Sequence, residues 1–337
     1  MPHTPHAHYP LRLARQLWRL VLSAVLLVAS GAAYAVCTTG GTNVSMGTIS
    51  SLALPTTTVG NYGAAGISCT GGLSLLSGAY IRLMLDTASL NLTNGGYSIP
   101  YTVSLTQGGA PLQNGVTGTA TGLTVLSLGG GSNSIALYFT IPMGPNVQAG
   151  TYTGTVSFRW YYAICDSGVL GACNWDRTPG LVQNCSLVLG VQFCTDPTNW
   201  GTGTLTSATL TLIVTKSCLI NTANLDVDFG SKALVNQFTK FTQTVNVTCT
   251  NNEGYSVSFD NGANYSAPWR RMASGANRMN YNLYQPNTTV IWNAAQPMTY
   301  LGTGTAQNFT FDAAVDPTQN NVPAGSYQDS VIMTLSY

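Results

Sequence analysis

Cysteine is the residue whose number and spacing here suggest chemistry. The chain has eight, at Cys37, Cys69, Cys165, Cys173, Cys185, Cys194, Cys218 and Cys249. An even set of thiols can close entirely into disulfides; the central four could instead hold zinc as thiolates. Zinc sites use short C-x₂₋₄-C pairs, and the gaps between Cys165, Cys173, Cys185 and Cys194 are all longer. Other reactive groups are scarce. The three histidines, His3, His6 and His8, crowd the N-terminus. Once that end is removed, neither a Ser-His-Asp nor a Cys-His device can be assembled. The carboxylates are scattered, without the close pair that glycoside hydrolysis needs. Asp226 and Asp228 sit on one side of a strand-like run and supply too few oxygens for calcium. The residues imply no enzyme, no metal and no cofactor.

The compartment decides between thiol chemistries. Residues 1–35 read as a signal peptide: Arg12, Arg15 and Arg19 precede the apolar run Leu20–Ala29, and Ala33-Tyr34-Ala35 fits a cleavage site. The run is too short to span a bilayer comfortably. The expected mature chain begins at Val36, with no peptide left ahead of Cys37. Export favours disulfides. Loss of three of the 12 basic residues leaves nine against 11 acids, a net charge of about −2 with no basic patch, so no nucleic acid partner is expected.

The elements that position the cysteines are written twice. Cys37 and Cys69 open one copy, Cys218 and Cys249 the other. Tyr101 and Tyr281 follow in alternating runs, and each copy closes on Ala-Gly-[Ser/Thr]-Tyr-x-x-[Ser/Thr]-Val, at 149–156 and 324–331. The repeat pairs Cys37 with Cys69 and Cys218 with Cys249. Each such loop should stabilise its domain by roughly 3–4 kcal/mol in the chain-entropy model. The central four cysteines keep three possible connectivities.

Period-two alternation dominates, as in 80–86 and 245–259, with Asn-Gly and Gly-Gly turns between runs. No stretch beyond the signal keeps a helical period. An all-β chain of two tandem sandwiches follows, one over 36–217 and one over 218–337. The first copy has two additions: a cysteine-rich insertion at 163–203 and an alternating run at 204–214. In that run Ala208, Leu210, Leu212 and Val214 share one face. The second copy has no such run and reads as one strand short. Thr215-Lys216-Ser217 is too short for a free linker, which sets the two domains end to end.

In its early cysteine pairs, its tyrosine strands and its closing Ala-Gly-[Ser/Thr]-Tyr runs, the chain resembles the spore coat U family, the pilin-like domains of archaic chaperone–usher pili. Two such domains in one exported chain resemble the tip adhesin subunit of a Csu-type pilus. The resemblance implies immunoglobulin-like (pilin-type) sandwiches lacking one edge strand. It implies a periplasmic chaperone that fills the groove first, an outer-membrane usher, and an adjacent pilin subunit that donates a strand to 218–337. On this reading 204–214 completes the first domain in cis. The second domain keeps an acceptor groove closed by the strand carrying Tyr327, Val331, Met333, Leu335 and Tyr337. A subunit that accepts a strand without offering one belongs at the fibre tip, exported through the periplasm to the cell surface or secreted.

A tip position implies adhesion to an abiotic surface or a receptor, supporting cell attachment and biofilm formation. Candidate adhesive loops are Leu73, Leu75 and Leu76; Val125, Leu126 and Leu128; Val169 and Leu170; and the aromatics Trp175 and Trp200. The bland alternative makes these leucines and valines core strand residues and the tryptophans plugs in a disulfide-tied loop. Two rival functions remain. One is a secreted coat or matrix protein using the same sandwich structurally. The other is an exported carbohydrate-binding module stacking sugars on Trp175 and Trp200.

Overall fold

The computed structural model describes residues 37–70, 80–119, 124–128, 132–169, 172–188, 191–223 and 225–337. The signal-like segment lies outside them. Strands dominate, and no α-helix occurs among the described residues.

The first half opens with β1 (Cys37–Thr39), β2 (Thr42–Ser50), β3 (Val59–Thr70), β4 (Tyr80–Leu85), β5 (Asn91–Asn94) and β6 (Tyr97–Pro100). It continues with β7 (Thr102–Ser104), β8 (Thr117–Thr119), β9 (Thr124–Leu128), β10 (Ser132–Ile141) and β11 (Gly150–Val169). Its last strands are β12 (Ala172–Arg177), β13 (Val182–Val188), β14 (Val191–Asn199) and β15 (Thr204–Thr215). One sheet runs β1-β3-β10-β7 with β9 beside β10; the other runs β13-β14-β12-β11-β15-β2, with β4 and β5 also pairing β11. Strand alternation becomes burial alternation. Ile81, Leu83 and Leu85 of β4 are buried while Tyr80, Arg82 and Met84 are half-buried. The cysteine-rich insertion is not a separate loop: its first residues continue β11 to Val169, and β12, β14 and β13 widen the same sheet.

The second half carries β16 (Cys218–Ile220), β17 (Phe241–Cys249), β18 (Gly254–Phe259) and β19 (Arg270–Ser274). Then come β20 (Asn277–Tyr284), β21 (Met298–Leu301), β22 (Ala306–Val315) and β23 (Met333–Ser336). A sheet β16-β17-β22-β20-β19 faces a three-stranded sheet β21-β18-β23. Each half has its own apolar core. One centres on Phe139, Tyr152, Phe158 and Trp160, the other on Val257, Trp292, Phe311 and Ala313.

The two sandwiches meet through short polar contacts. Ser51 Oγ and Thr250 Oγ1 are 2.7 Å apart and buried, and Asn146 Nδ2 donates to Thr303 O at 2.7 Å. Lys216, in the connector, pairs with Glu253 at 2.8 Å.

The cysteines follow the ladders. Cys218 and Cys249 stand opposite each other across β16 and β17 and form a disulfide. Cys37 faces Cys69 in the same way across β1 and β3, and Cys37 is disulfide-bonded. Cys185 and Cys194 are bonded across the β13–β14 hairpin, which removes two thiols from the zinc alternative. The backbones of Cys165 and Cys173 lie on the adjacent strands β11 and β12.

Candidate functional site: an unfilled groove in the second sandwich

The two halves superimpose by residue count and by bonding. Tyr152 Oη donates to Gln148 O, and Tyr327 Oη donates to Pro323 O, each at 2.7 Å and four residues back. Asp86 N donates to Ser157 O, and Asp260 N to Ile332 O. Phe158 lies opposite Leu85 as Met333 lies opposite Phe259. The closing segment of the first half, 150–160, therefore corresponds to 325–335 of the second.

What differs is the neighbour. In the first half β15 runs antiparallel to β11 from Gly150↔Val214 to Trp160↔Thr204, and parallel to β2 on its other side. Ala208, Leu210 and Leu212 are fully buried and Val214 is 2% exposed. Burying those four side chains contributes about 1.5–3 kcal/mol each for the larger ones, as an upper estimate. Beneath them Tyr152, Val156, Phe158 and Trp160 are all 0% exposed.

Among the described residues no strand occupies that place in the second half. Tyr327, Val331, Met333 and Leu335 are only half-buried. Opposite them Leu225, Val227 and Phe229 are half-buried too, whereas Val44 and Met46, equally far beyond the first cysteine of their copy, are 4% exposed. Two adjoining cavities of about 430 and 570 Å³ lie between these edges. Their floor includes Phe259, Met272, Tyr281, Leu283 and Phe311. Among the described residues 225–230 joins no ladder, and 327–332 is tied through the Ala273–Gln328 pair and the Asp260–Ile332 bonds. Two apolar-lined edges with unpaired backbone groups make a slot shaped for one more strand.

The closing strand expected over 327–337 needs correcting. It is regular only over Met333–Ser336, where β18 pairs it; upstream it is held at isolated points, Gln328 on Ala273 and Ile332 on Asp260, without a continuous ladder. Tyr337 is 57% exposed and sits by Lys216 and Cys249, away from the groove.

The polar groups at the groove are as specific as its apolar floor. Tyr281 Oη donates to Asp329 Oδ2 at 2.7 Å, and Ala263 N donates to Asp329 Oδ1 at 3.0 Å. Burial, then the bond to Asp329, pushes the Tyr281 phenol well above its ordinary range. Arg270, paired with Tyr281 in the ladder, is fully buried and donates to Asp260 O and Trp292 O. Burial lowers its pKa against the raising influence of Tyr281, Asp260 and Asp329. In the first half Tyr101 is buried with no partner for its hydroxyl, and burial alone raises it to about 12.

The other expected site residues are dispersed. Leu73, Leu75, Leu76 and Leu170 lie outside the described residues. Val125, Leu126 and Leu128 are on β9, a strand paired with β10, and Val169 ends β11. Trp175 stacks on Tyr80 at 5.8 Å, and the Arg82 guanidinium covers the Trp200 ring at 3.9 Å. Both rings already have faces occupied by protein. Sequence reasoning missed the exposed apolar side chains on both faces of the β13–β14 hairpin, where Val182, Leu187, Val188 and Phe193 are 49%, 70%, 51% and 38% exposed.

A spore coat protein U domain model matches residues 23–159 and again 202–334. The chain belongs to the spore coat protein U domain family. The break between the two matches falls on the cysteine-rich strands, which widen the β11 sheet of the first sandwich. Among solved structures, the CsuC–CsuE chaperone–tip adhesion subunit pre-assembly complex from archaic Csu pili of Acinetobacter baumannii is similar at 22% identity and TM-score 0.58. The match covers 90% of this chain and 100% of that one. The CupB6 tip adhesin of Pseudomonas aeruginosa aligns over 83% of this chain and 85% of its own at 12% identity, but its TM-score of 0.30 is too low to argue from. No curated protein matches the sequence. The family and the first of these structures make the fold that of a chaperone–usher pilus subunit.

Proposed function

We propose that this chain is the adhesive tip subunit of a chaperone–usher pilus, not an enzyme, and that its second sandwich accepts a β-strand from the adjacent pilin subunit. The observation that carries this reading is the empty strand position between 225–230 and 327–333. The first domain fills the same position with its own β15. A periplasmic chaperone holds the groove before assembly, and an outer-membrane usher delivers the subunit to the cell surface. The chaperone–tip adhesion complex of Acinetobacter supports the chaperone as partner.

Adhesion falls to the first domain, whose edge carries the exposed apolar β13–β14 hairpin tied by Cys185–Cys194. Apolar side chains exposed on both faces of an edge hairpin favour abiotic or other hydrophobic surfaces and attachment leading to biofilm. The test is co-expression of the chain with its cognate chaperone. A stable one-to-one complex, with attachment to plastic lost when the subunit gene is deleted, supports the proposal. A chain that secretes and stays monomeric without any chaperone removes it.

A further inference from the structure

The first domain is a template for what its open twin accepts, and one of the differences between the two lies where the added strand would face it. Leu210 lies directly opposite Gly154. A side chain at Gly154 would run into Asn91 O and the Leu92 side chain, so β5 packs too close there for any residue but glycine. Two residues beyond the shared tyrosine in the second domain stands Asp329 instead, on the same parity as Tyr327 and Val331 and lining the cavity. Directly opposed residues in an antiparallel pair hold their Cβ atoms about 4.5–5.5 Å apart, so whatever an incoming strand places there must touch this carboxylate.

The change is part of a set. The β5–β6 hairpin pairs Asn94 with Tyr97, and β19–β20 pairs Ser274 with Asn277. Counting back four residues puts Arg270 where Leu90 stands, and counting on puts Tyr281 where Tyr101 stands. Leu90–Tyr101–Gly154 in the filled domain thus becomes Arg270–Tyr281–Asp329 in the open one. Asp329 takes one bond to each oxygen, from Tyr281 and Ala263, and each oxygen keeps a lone pair. A leucine laid over it would strip its water and return nothing.

We propose that the strand completing the second sandwich carries a hydrogen-bond-donating side chain, serine, threonine, asparagine or lysine, opposite Asp329. Asp329 is then the residue by which the groove distinguishes a partner's strand from the leucine-bearing type of β15. This rests on the strand-accepting reading above. The partner strand runs antiparallel to 327–331 and parallel to 225–230, as β15 does between β11 and β2.

Twelve-residue peptides with the sequence of 204–215, bearing leucine, threonine or lysine at the position of Leu210, serve as probes on the full-length chain. Fluorescence polarisation of labelled peptide reads the affinity. The threonine and lysine peptides should bind wild type at least about tenfold tighter than the leucine parent, the scale of one bond to a charged group. Asp329→Gly should reverse that order. Asp329→Asn, which keeps the size and an acceptor, should weaken the lysine peptide about tenfold while leaving threonine within about twofold. Equal binding of all three peptides to wild type, or a ranking unmoved by both variants, overturns the proposal. Preference of wild type for the leucine parent also overturns it and makes β15 of a second copy the occupant. If no peptide binds either wild type or Asp329→Gly, the strand-accepting reading itself falls.

Discussion

The two sandwiches share a disulfide-tied opening, a tyrosine bonded four residues back and a closing segment, yet only one is filled. Tyr152 and Val156 vanish from solvent beneath β15, while Tyr327 and Val331 remain half-buried beside an empty slot. The closing segment thus does not determine its own burial or regularity; its neighbour does. With β15 beside it the segment is a continuous ladder from Gly150 to Trp160, and without one it is a strand only from Met333. On the proposed function, such a domain exchanges autonomy for assembly, and the position left open in the second is where another chain would join it.

The sharpest way to break the comparison is to spoil the inserted strand. Leu212→Asp puts a carboxylate where Leu212 is fully buried between β11 and β2. It should cost the first domain more than about 4 kcal/mol and abolish its cooperative melting, leaving peptide binding at the second groove intact. Unchanged melting would mean that β15 is dispensable. Filling the open groove should act in the opposite sense. A strand peptide at 100 times its Kd should stabilise the second domain by about 2.7 kcal/mol, with the first unmoved; calorimetry of the two transitions reads both.

The tyrosine pair sharpens the comparison further. Tyr281→Phe removes the bond to Asp329 and should cost the second domain about 1–2 kcal/mol, whereas Tyr101→Phe removes an unpaired buried hydroxyl and should be neutral or stabilising. Equal losses in urea titrations would contradict the assigned geometry. Buried phenols set an alkaline limit. Tyr101, Tyr152, Tyr162 and Tyr300 are raised from 10.0 to about 12, chiefly by burial. Folding favours their neutral forms, so their contribution is whole below pH 10 and is lost as pH climbs toward 12. Stability should be flat on this account up to pH 10 and fall beyond it in both domains. The smallest stability effect belongs to the exposed hairpin: Leu187→Ser with Phe193→Ser should shift melting by no more than about 0.5 kcal/mol while reducing attachment to plastic.

Much of this architecture is legible in the sequence, because repeated counts fix equivalent positions before any coordinates do. From Ala208 to Val214 every second residue is apolar, so that run reads as a strand. The far edge of the groove is harder to see. Leu225, Val227 and Phe229 alternate with Asp226 and Asp228, whose carboxylates raise the question of calcium first. Their equal distance from Cys218, compared with Val44 and Met46 from Cys37, is the signal that locates them. The exposed side chains of the β13–β14 hairpin carry no such signal, since a strand's residues read the same whether a second sheet covers them or water does. Trp175 and Trp200 illustrate the same limit: only packing shows that Tyr80 and Arg82 already occupy their faces.

Amide hydrogen exchange on the full-length chain tests the central claim most directly, by comparing 150–160 and 204–215 with 225–230 and 325–332. The account predicts slow exchange in the first pair of segments and exchange approaching that of exposed loops in the second, becoming slow once a strand peptide is bound. Equal protection of both pairs in the unbound chain would contradict it, because the second sandwich would then already be complete.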